Sequence, residues 1–162
     1  MRKFEKISFE QFKKDIKDDL NLYEEYQLPK RSTKESAGYD IYALDDYIIK
    51  PNDNLKIPTG LKVDMNSGEA LLLIVRSSTG FKYNVRMCNQ VGVIDKDYYN
   101  NIDNEGHFFV KLHNHGTEDF IIKRNDKLVQ GIFIKFLIAD DEEKIENERI
   151  GGIGSTTRER RN

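Results

Sequence analysis

Cysteine occurs once in the 162 residues, at Cys88, and tryptophan does not occur at all. One thiol cannot close an internal disulfide, and no cysteine pair suggests a zinc knuckle, so a reducing compartment, the cytoplasm, is the expected setting. An excess of charge of one sign is also missing: 26 Lys and Arg face 28 Asp and Glu, a net charge of −2. That balance gives no general attraction to nucleic acid or to an anionic membrane, so neither is expected as a partner, and a polyanion must be held by a local cluster of donors. A small anionic ligand fits better. No stretch approaches the run of about 18 apolar residues that a membrane-spanning helix needs. The N-terminal stretch carries too much charge for a signal peptide. Internal repeats and low-complexity blocks are lacking too.

What is present suits one compact domain: 38% hydrophobic and 33% charged residues, with eight Tyr and nine Phe. Ser8 followed by Gln11 reads as a capping box, and Phe9, Phe12, Ile16 and Leu20 then recur at helical spacing, which predicts a helix through roughly the first 20 residues. Downstream, short apolar runs at 41–43, 47–49, 55–57, 71–75 and 108–112 alternate with turn residues such as Pro51-Asn52-Asp53-Asn54, Asn114-His115-Gly116 and Arg124-Asn125-Asp126. These predict an all-β fold, a jelly-roll-like sandwich or barrel. The acidic, apolar-poor stretch 140–148 ends the packed part. The expected organisation is an N-terminal helical extension over 1–22, a β domain over 23–140, and a linker with a flexible glycine-rich arm over 141–162.

Five segments carry chemistry: AGYDIYA at 37–43, VRSS at 75–78, NQVGVIDKDYY at 89–99, RNDKLVQ at 124–130 and RIGGIGSTT at 149–157. In the third, Asp95 follows an apolar pair where a strand leaves the core, so its carboxylate has limited hydration and can orient a water and accept its proton. Alone, it also reads as a turn aspartate capping backbone donors. Arg76, Ser77 and Ser78 put a guanidinium and two hydroxyls at a strand end, as phosphate oxygens favour, although such a triplet is also a common surface turn. The closing glycines let a backbone approach a ligand closely. His113 and His115 lack the further Cys, His or spaced carboxylate a zinc site requires and read as solvated strand-end residues.

In this order the five segments resemble the trimeric dUTP pyrophosphatase (dUTPase) family, over about 28–157. The resemblance implies hydrolysis of dUTP to dUMP and pyrophosphate, Mg2+ as cofactor held chiefly by the phosphates, and a homotrimer whose sites are shared among subunits. By position in the motifs, Asp95 is the implied water-activating base and Tyr98 packs under the deoxyribose, excluding a 2′-hydroxyl. Asn89 and main-chain groups near Val93 and Ile94 read uracil's polar edge. Ser77, with Arg76 and Ser78, meets the bridge between the α- and β-phosphates, Gln130 meets the α-phosphate, and Asp40 lies near the metal through water. Arg149, Gly152, Ile153, Gly154, Ser155 and Thr156 are implied to close over the terminal phosphates.

The chain departs from the family pattern at Lys127, where many relatives carry Arg, and at Ile153, where most carry a base-stacking phenylalanine. Phe108 or Phe109 is the expected substitute. Strand alternation sets Phe108 with Val110 and Leu112 on one face and Phe109 with Lys111 and His113 on the other, so one of the two belongs to the core. Two rival readings exist. A dCTP deaminase of related architecture would activate water at the base with a glutamate, and the Asp95-to-Tyr98 pattern argues against it. A regulatory module would use the nucleotide site to control docking of a protein partner, with the first helix or the long segment 99–106 as contact surface.

Overall fold

The computed structural model describes residues 1–144. Strand β1 (Lys3–Lys6) leads into helices α1 (Phe9–Asp15) and α2 (Leu20–Glu25). There follow β2 (Lys30–Arg31), β3 (Tyr39–Tyr42), β4 (Tyr47–Ile49), β5 (Asn54–Pro58), β6 (Leu61–Asp64) and β7 (Glu69–Ile74). Helix α3 (Ser77–Tyr83) separates β7 from β8 (Val85–Met87) and β9 (Gly92–Asp95), and a 3-10 turn over Lys96–Tyr98 follows. Strands β10 (Phe109–Asn114), β11 (Phe120–Ile122) and β12 (Lys127–Lys135) complete the set.

All pairings are antiparallel. A five-stranded sheet runs β2-β3-β12-β7-β9 and a three-stranded one β5-β10-β8, with two-stranded ribbons β1-β6 and β11-β4. Alternation along each strand sends one set of side chains inward: Ile41, Leu71, Leu73 and Val129 from the larger sheet join Ile57, Val85, Val110 and Leu112 from the smaller in one buried cluster. Each such side chain contributes about 1.5–3 kcal/mol by leaving water. The result is the jelly-roll-like β fold expected from the turn spacing.

The N-terminal stretch differs from the single helix its apolar spacing predicts. Strand β1 pairs with β6, Phe4 opposite Val63, and the Phe4 ring packs on Tyr39 and Phe133 with centroids 5.4 and 5.3 Å away. The helix begins only at Ser8, whose Oγ accepts from Gln11 N at 3.1 Å. The return half of the box comes from elsewhere: Glu105 accepts from Ser8 N at 2.9 Å and from Ser8 Oγ at 2.5 Å, while Gln11 Nε2 donates to Asp15. A second cap then intervenes, since Asp19 accepts from Leu22 N at 2.9 Å and starts α2. Leu20 therefore heads a new helix and is 51% exposed rather than part of the buried stripe.

Candidate active site

Three neighbouring strands assemble a cluster of charged and polar side chains. Asp40 on β3 stands opposite Gln130 on β12, and Gln130 stands opposite Ile74 on β7, whose continuation carries Arg76 at the start of α3. Asp40 is buried, yet both of its oxygens are engaged: Arg76 Nε lies 3.2 Å from Oδ1, while Lys127 Nζ at 2.9 Å and Ser32 Oγ at 2.5 Å converge on Oδ2. Lys127 also donates to Ser32 Oγ at 2.6 Å. Burial alone would raise the Asp40 carboxyl's pKa, but the Ser32 hydroxyl, Lys127 and Arg76 together outweigh it and hold the group below its usual value. One carboxylate thus orients two cations, and Asp40 and Arg76 line a cavity of about 390 Å3.

Ser77, Ser78, Gly38 and Gln130 line the same cavity. The first, second and fourth motifs therefore meet within one chain. Gly38 leaves room for the Gln130 amide, since a Cβ on it would sit 2.2 Å from Gln130 Oε1 and displace it. Gln130 Nε2 in turn points at Val75 O, 3.4 Å away.

Asp95 lies elsewhere. It ends β9 opposite Ala70, at the start of β7, whereas Arg76 follows β7's other end. Six residues of extended chain separate Ala70 from Arg76, roughly 20 Å at about 3.3 Å per residue. Asp95 opens instead onto a cavity of about 530 Å3 shared with Ser67, Lys96, Tyr99 and Phe136. Just after it, Tyr98 is buried, its hydroxyl donating to His107 O at 2.9 Å and accepting from Asn104 Nδ2 at 2.9 Å. Asn101 Nδ2 donates to Tyr98 O at 2.8 Å. The long segment 99–106 is thus folded back as a clamp on Tyr98, and Gly106, at φ +85°, allows the fold-back, since a Cβ there would meet Tyr98 O at 2.6 Å.

Asn89 is exposed in the turn that carries the chain from β8 in the smaller sheet to β9 in the larger, and Val93 is 58% exposed beside it, with Ile94 half-buried against the core. Of the two phenylalanines expected to cover the base, Phe108 is 1% exposed and belongs to the core. Phe109 is half-buried on the opposite face, with Lys56 Nζ 4.0 Å from its centroid and the His107 ring 4.1 Å away. Arg149, Gly152, Ile153, Gly154, Ser155 and Thr156 lie outside the described residues. Reading the sequence missed Ser32, Asn101 and Asn104; each sits in a polar, turn-like stretch whose side-chain targets are set by the fold.

The donor set bears on a metal as well. Among the described residues no group of three or more His, Cys, Asp or Glu converges. The cavity beside Arg76 and Ser77 offers one carboxylate, Asp40, already bonded to two cations. That set fits a hard cation that takes most of its ligands from phosphate oxygens and water and meets Asp40 only through water.

The dUTPase family model matches residues 24–157. A deoxyuridine 5'-triphosphate nucleotidohydrolase of Lactococcus lactis is 50% identical over 130 residues, covering 80% of this chain and 87% of that protein. The chain belongs to the dUTPase family. Among solved structures, a dUTPase of Streptococcus mutans superposes with a TM-score of 0.68 at 39% identity, over 85% of this chain and 98% of that one. A dUTPase of the S. aureus phage phi11, whose mutant coordinates a structural Mg(II) ion, shares the fold at 19% identity with a TM-score of 0.65, over 91% and 97% of the two chains.

Proposed function

We propose that this dUTPase-family chain hydrolyses dUTP to dUMP and pyrophosphate, with Asp95 as general base for water attacking the α-phosphorus. The oxygen of the water bonds to the α-phosphorus, its proton passes to the Asp95 carboxylate, and the bond from the α-phosphorus to the bridging oxygen breaks. Pyrophosphate leaves with the bonding pair. Arg76, Ser77 and Gln130 hold the phosphates around that bridge, where fixed donors stabilise developing charge best. Tyr98 supports the deoxyribose, and Asn89 with the main chain of Val93 and Ile94 reads uracil. Mg2+, when bound, would neutralise charge on the triphosphate, with Asp40 meeting it through water.

The observation that carries this reading is the separation of the base from the phosphate cluster. Roughly 20 Å along β7 is too far for one carboxylate to serve a phosphorus bound beside Ser77 in the same chain. A second copy must bring its Asp95 to the cluster, which supports the homotrimer with shared sites. Cyclic symmetry then completes every site in the same way. The name of the 50%-identical relative favours dUTP hydrolysis over the deaminase and purely regulatory readings. The single cysteine supports a cytoplasmic location.

The test is pyrophosphate release from dUTP, UTP, dCTP and dTTP, with magnesium present and then chelated. Release from dUTP alone, lost on chelation, is expected. Ammonia release from dCTP, or equal turnover of UTP, would overturn the assignment.

A further inference from the structure

The outward face of the β5-β10-β8 sheet places basic side chains side by side, two of them lysines. Residues directly opposite on antiparallel strands share a face, with Cβ atoms about 5 Å apart. Here Lys111 on β10 is opposite Lys56 on β5, and His113 on β10 is opposite Arg86 on β8. His115 continues the row, its ring 3.9 Å from that of His113 and inclined by 23°. None of the three strands carries a carboxylate. Among the described residues, none of Lys56, Lys111 or Arg86 forms an ion pair. Burial, and after it the neighbouring His113 and Arg86, hold His115 below its usual pKa.

Directly opposed like charges destabilise a sheet, and a chain of net charge −2 has acidic residues enough to separate them. From this arrangement we infer that the face is a binding site for a compact multivalent oxyanion of the oligophosphate class, seated between the Lys56–Lys111 pair and the Arg86–His113 pair. Arg86 supplies a planar fork and the lysines point charges, a donor set suited to tetrahedral oxyanions. The rows span only three strands, so the site accommodates a few phosphate groups. A nucleic-acid strand is a poorer match. Its bases need open aromatic platforms, whereas on these strands' outer face Phe109 is covered by Lys56 at 4.0 Å and the His113 ring is stacked on that of His115 at 3.9 Å. None of Lys56, Lys111, Arg86 or His113 lines the cavity at Asp40 or the one at Asp95. The two sites are therefore separable.

The experiment uses the full-length protein at low ionic strength, with the nucleotide site saturated by the imido analogue dUpNHpp, and inorganic tripolyphosphate as probe. Wild-type protein should bind tripolyphosphate in calorimetry and rise in melting temperature with it. Lys56→Gln combined with Lys111→Gln should weaken that binding by about tenfold or more, two charge-assisted contacts being lost. The same variant should melt higher than wild type without anion, because repulsion is relieved, and should hydrolyse dUTP at the wild-type rate. Arg86→Gln serves as the independent second variant and should weaken binding alone. Unchanged tripolyphosphate affinity in both variants, or no gain in anion-free stability in the lysine pair, overturns the inference. Tighter binding of single-stranded DNA than of tripolyphosphate at equal phosphate concentration would overturn the oligophosphate assignment.

Discussion

His107 Nδ1 lies 2.6 Å from Asp15 Oδ2, while its Nε2 accepts from Gly60 N at 2.9 Å. Because Nε2 is an acceptor, the proton sits on Nδ1 and is donated to the carboxylate, which fixes the neutral tautomer. The ring is fully buried and ties three parts of the chain together: helix α1, the segment after 99–106 and the tight turn before β6. Protonating Nε2 would oppose the Gly60 N–H with a second donor. Burial lowers the His107 pKa below the ordinary 6.5 even though Asp15 pulls the other way. With the folded value depressed, the stabilisation is fully present above pH 6.5 and is lost as pH falls through the folded value. Urea unfolding should therefore show stability dropping below pH 6.5 with a slope of at most about 1.4 kcal/mol per pH unit from this group. His107→Gln should flatten that part of the curve; an unchanged slope in the variant would show that His107 does not set the pH dependence.

Asn104 offers a second test, because it reaches both the Tyr98 hydroxyl and His107 O, at 2.9 and 3.0 Å. If Tyr98 packs under the sugar, the clamp sets how little room remains for a 2′-hydroxyl. Asn104→Ala should lower the preference for dUTP over UTP by about tenfold, roughly the worth of one lost buried hydrogen bond, mainly through KM. Asn101→Ala, which removes the side-chain donor to the Tyr98 carbonyl, should act in the same direction. Unaltered discrimination in both would leave 99–106 as a purely structural segment.

The strands were readable because alternation and turn residues coincide: 71–75 and 108–112 match β7 and β10 to within two residues at each end. Asp40, Arg76, Ser77, Ser78 and Gln130 were readable as members of three motifs, and the fold brings them to one cavity; Lys127 departs from the expected type. Other features depend on partners distant in sequence. Phe4 is one apolar residue among charges, and only pairing with β6 makes it part of a strand. The β7–β9 register, which parts Asp95 from Arg76, is set by long-range pairing that no local pattern announces. Ser32 looks like any turn serine until β2 pairs with β3 and brings its hydroxyl to Asp40. Asn101 and Asn104 read as turn residues, and they are, but their side chains face inward onto Tyr98.

Gly38 and Gln130 should behave as one unit. A methyl at Gly38 would fall 2.2 Å from Gln130 Oε1, so Gly38→Ala must push the amide aside. A displacement of about 1 Å at a phosphate contact can cost up to about a hundredfold in rate. Gly38→Ala is expected to lose tenfold or more in kcat/KM, by that same estimate, with little change in melting temperature. Gln130→Ala removes the obstacle as well as the contact. Adding Gly38→Ala in that background should cost almost nothing more, and additive losses would show that Gly38 serves some other purpose.

The separation between Asp95 and the phosphate cluster makes the sharpest prediction. Asp95→Asn should still bind the imido analogue but lose turnover by about a hundredfold or more, the usual order for removing a general base. Ser77→Ala should also be impaired, through a different part of the site. If each site takes Asp95 from one copy and Ser77 from another, a mixed oligomer pairs an intact Asp95 with an intact Ser77 in some of its sites. Two impaired variants, co-refolded in equal amounts, should then regain up to about a quarter of wild-type activity, the chance that a given site draws both intact residues in a cyclic assembly. A site built within one chain gives a different outcome, because every site in the mixture would carry one defect or the other. Activity in the mixture no higher than the mean of the two parents would place catalysis within single chains and refute the shared site.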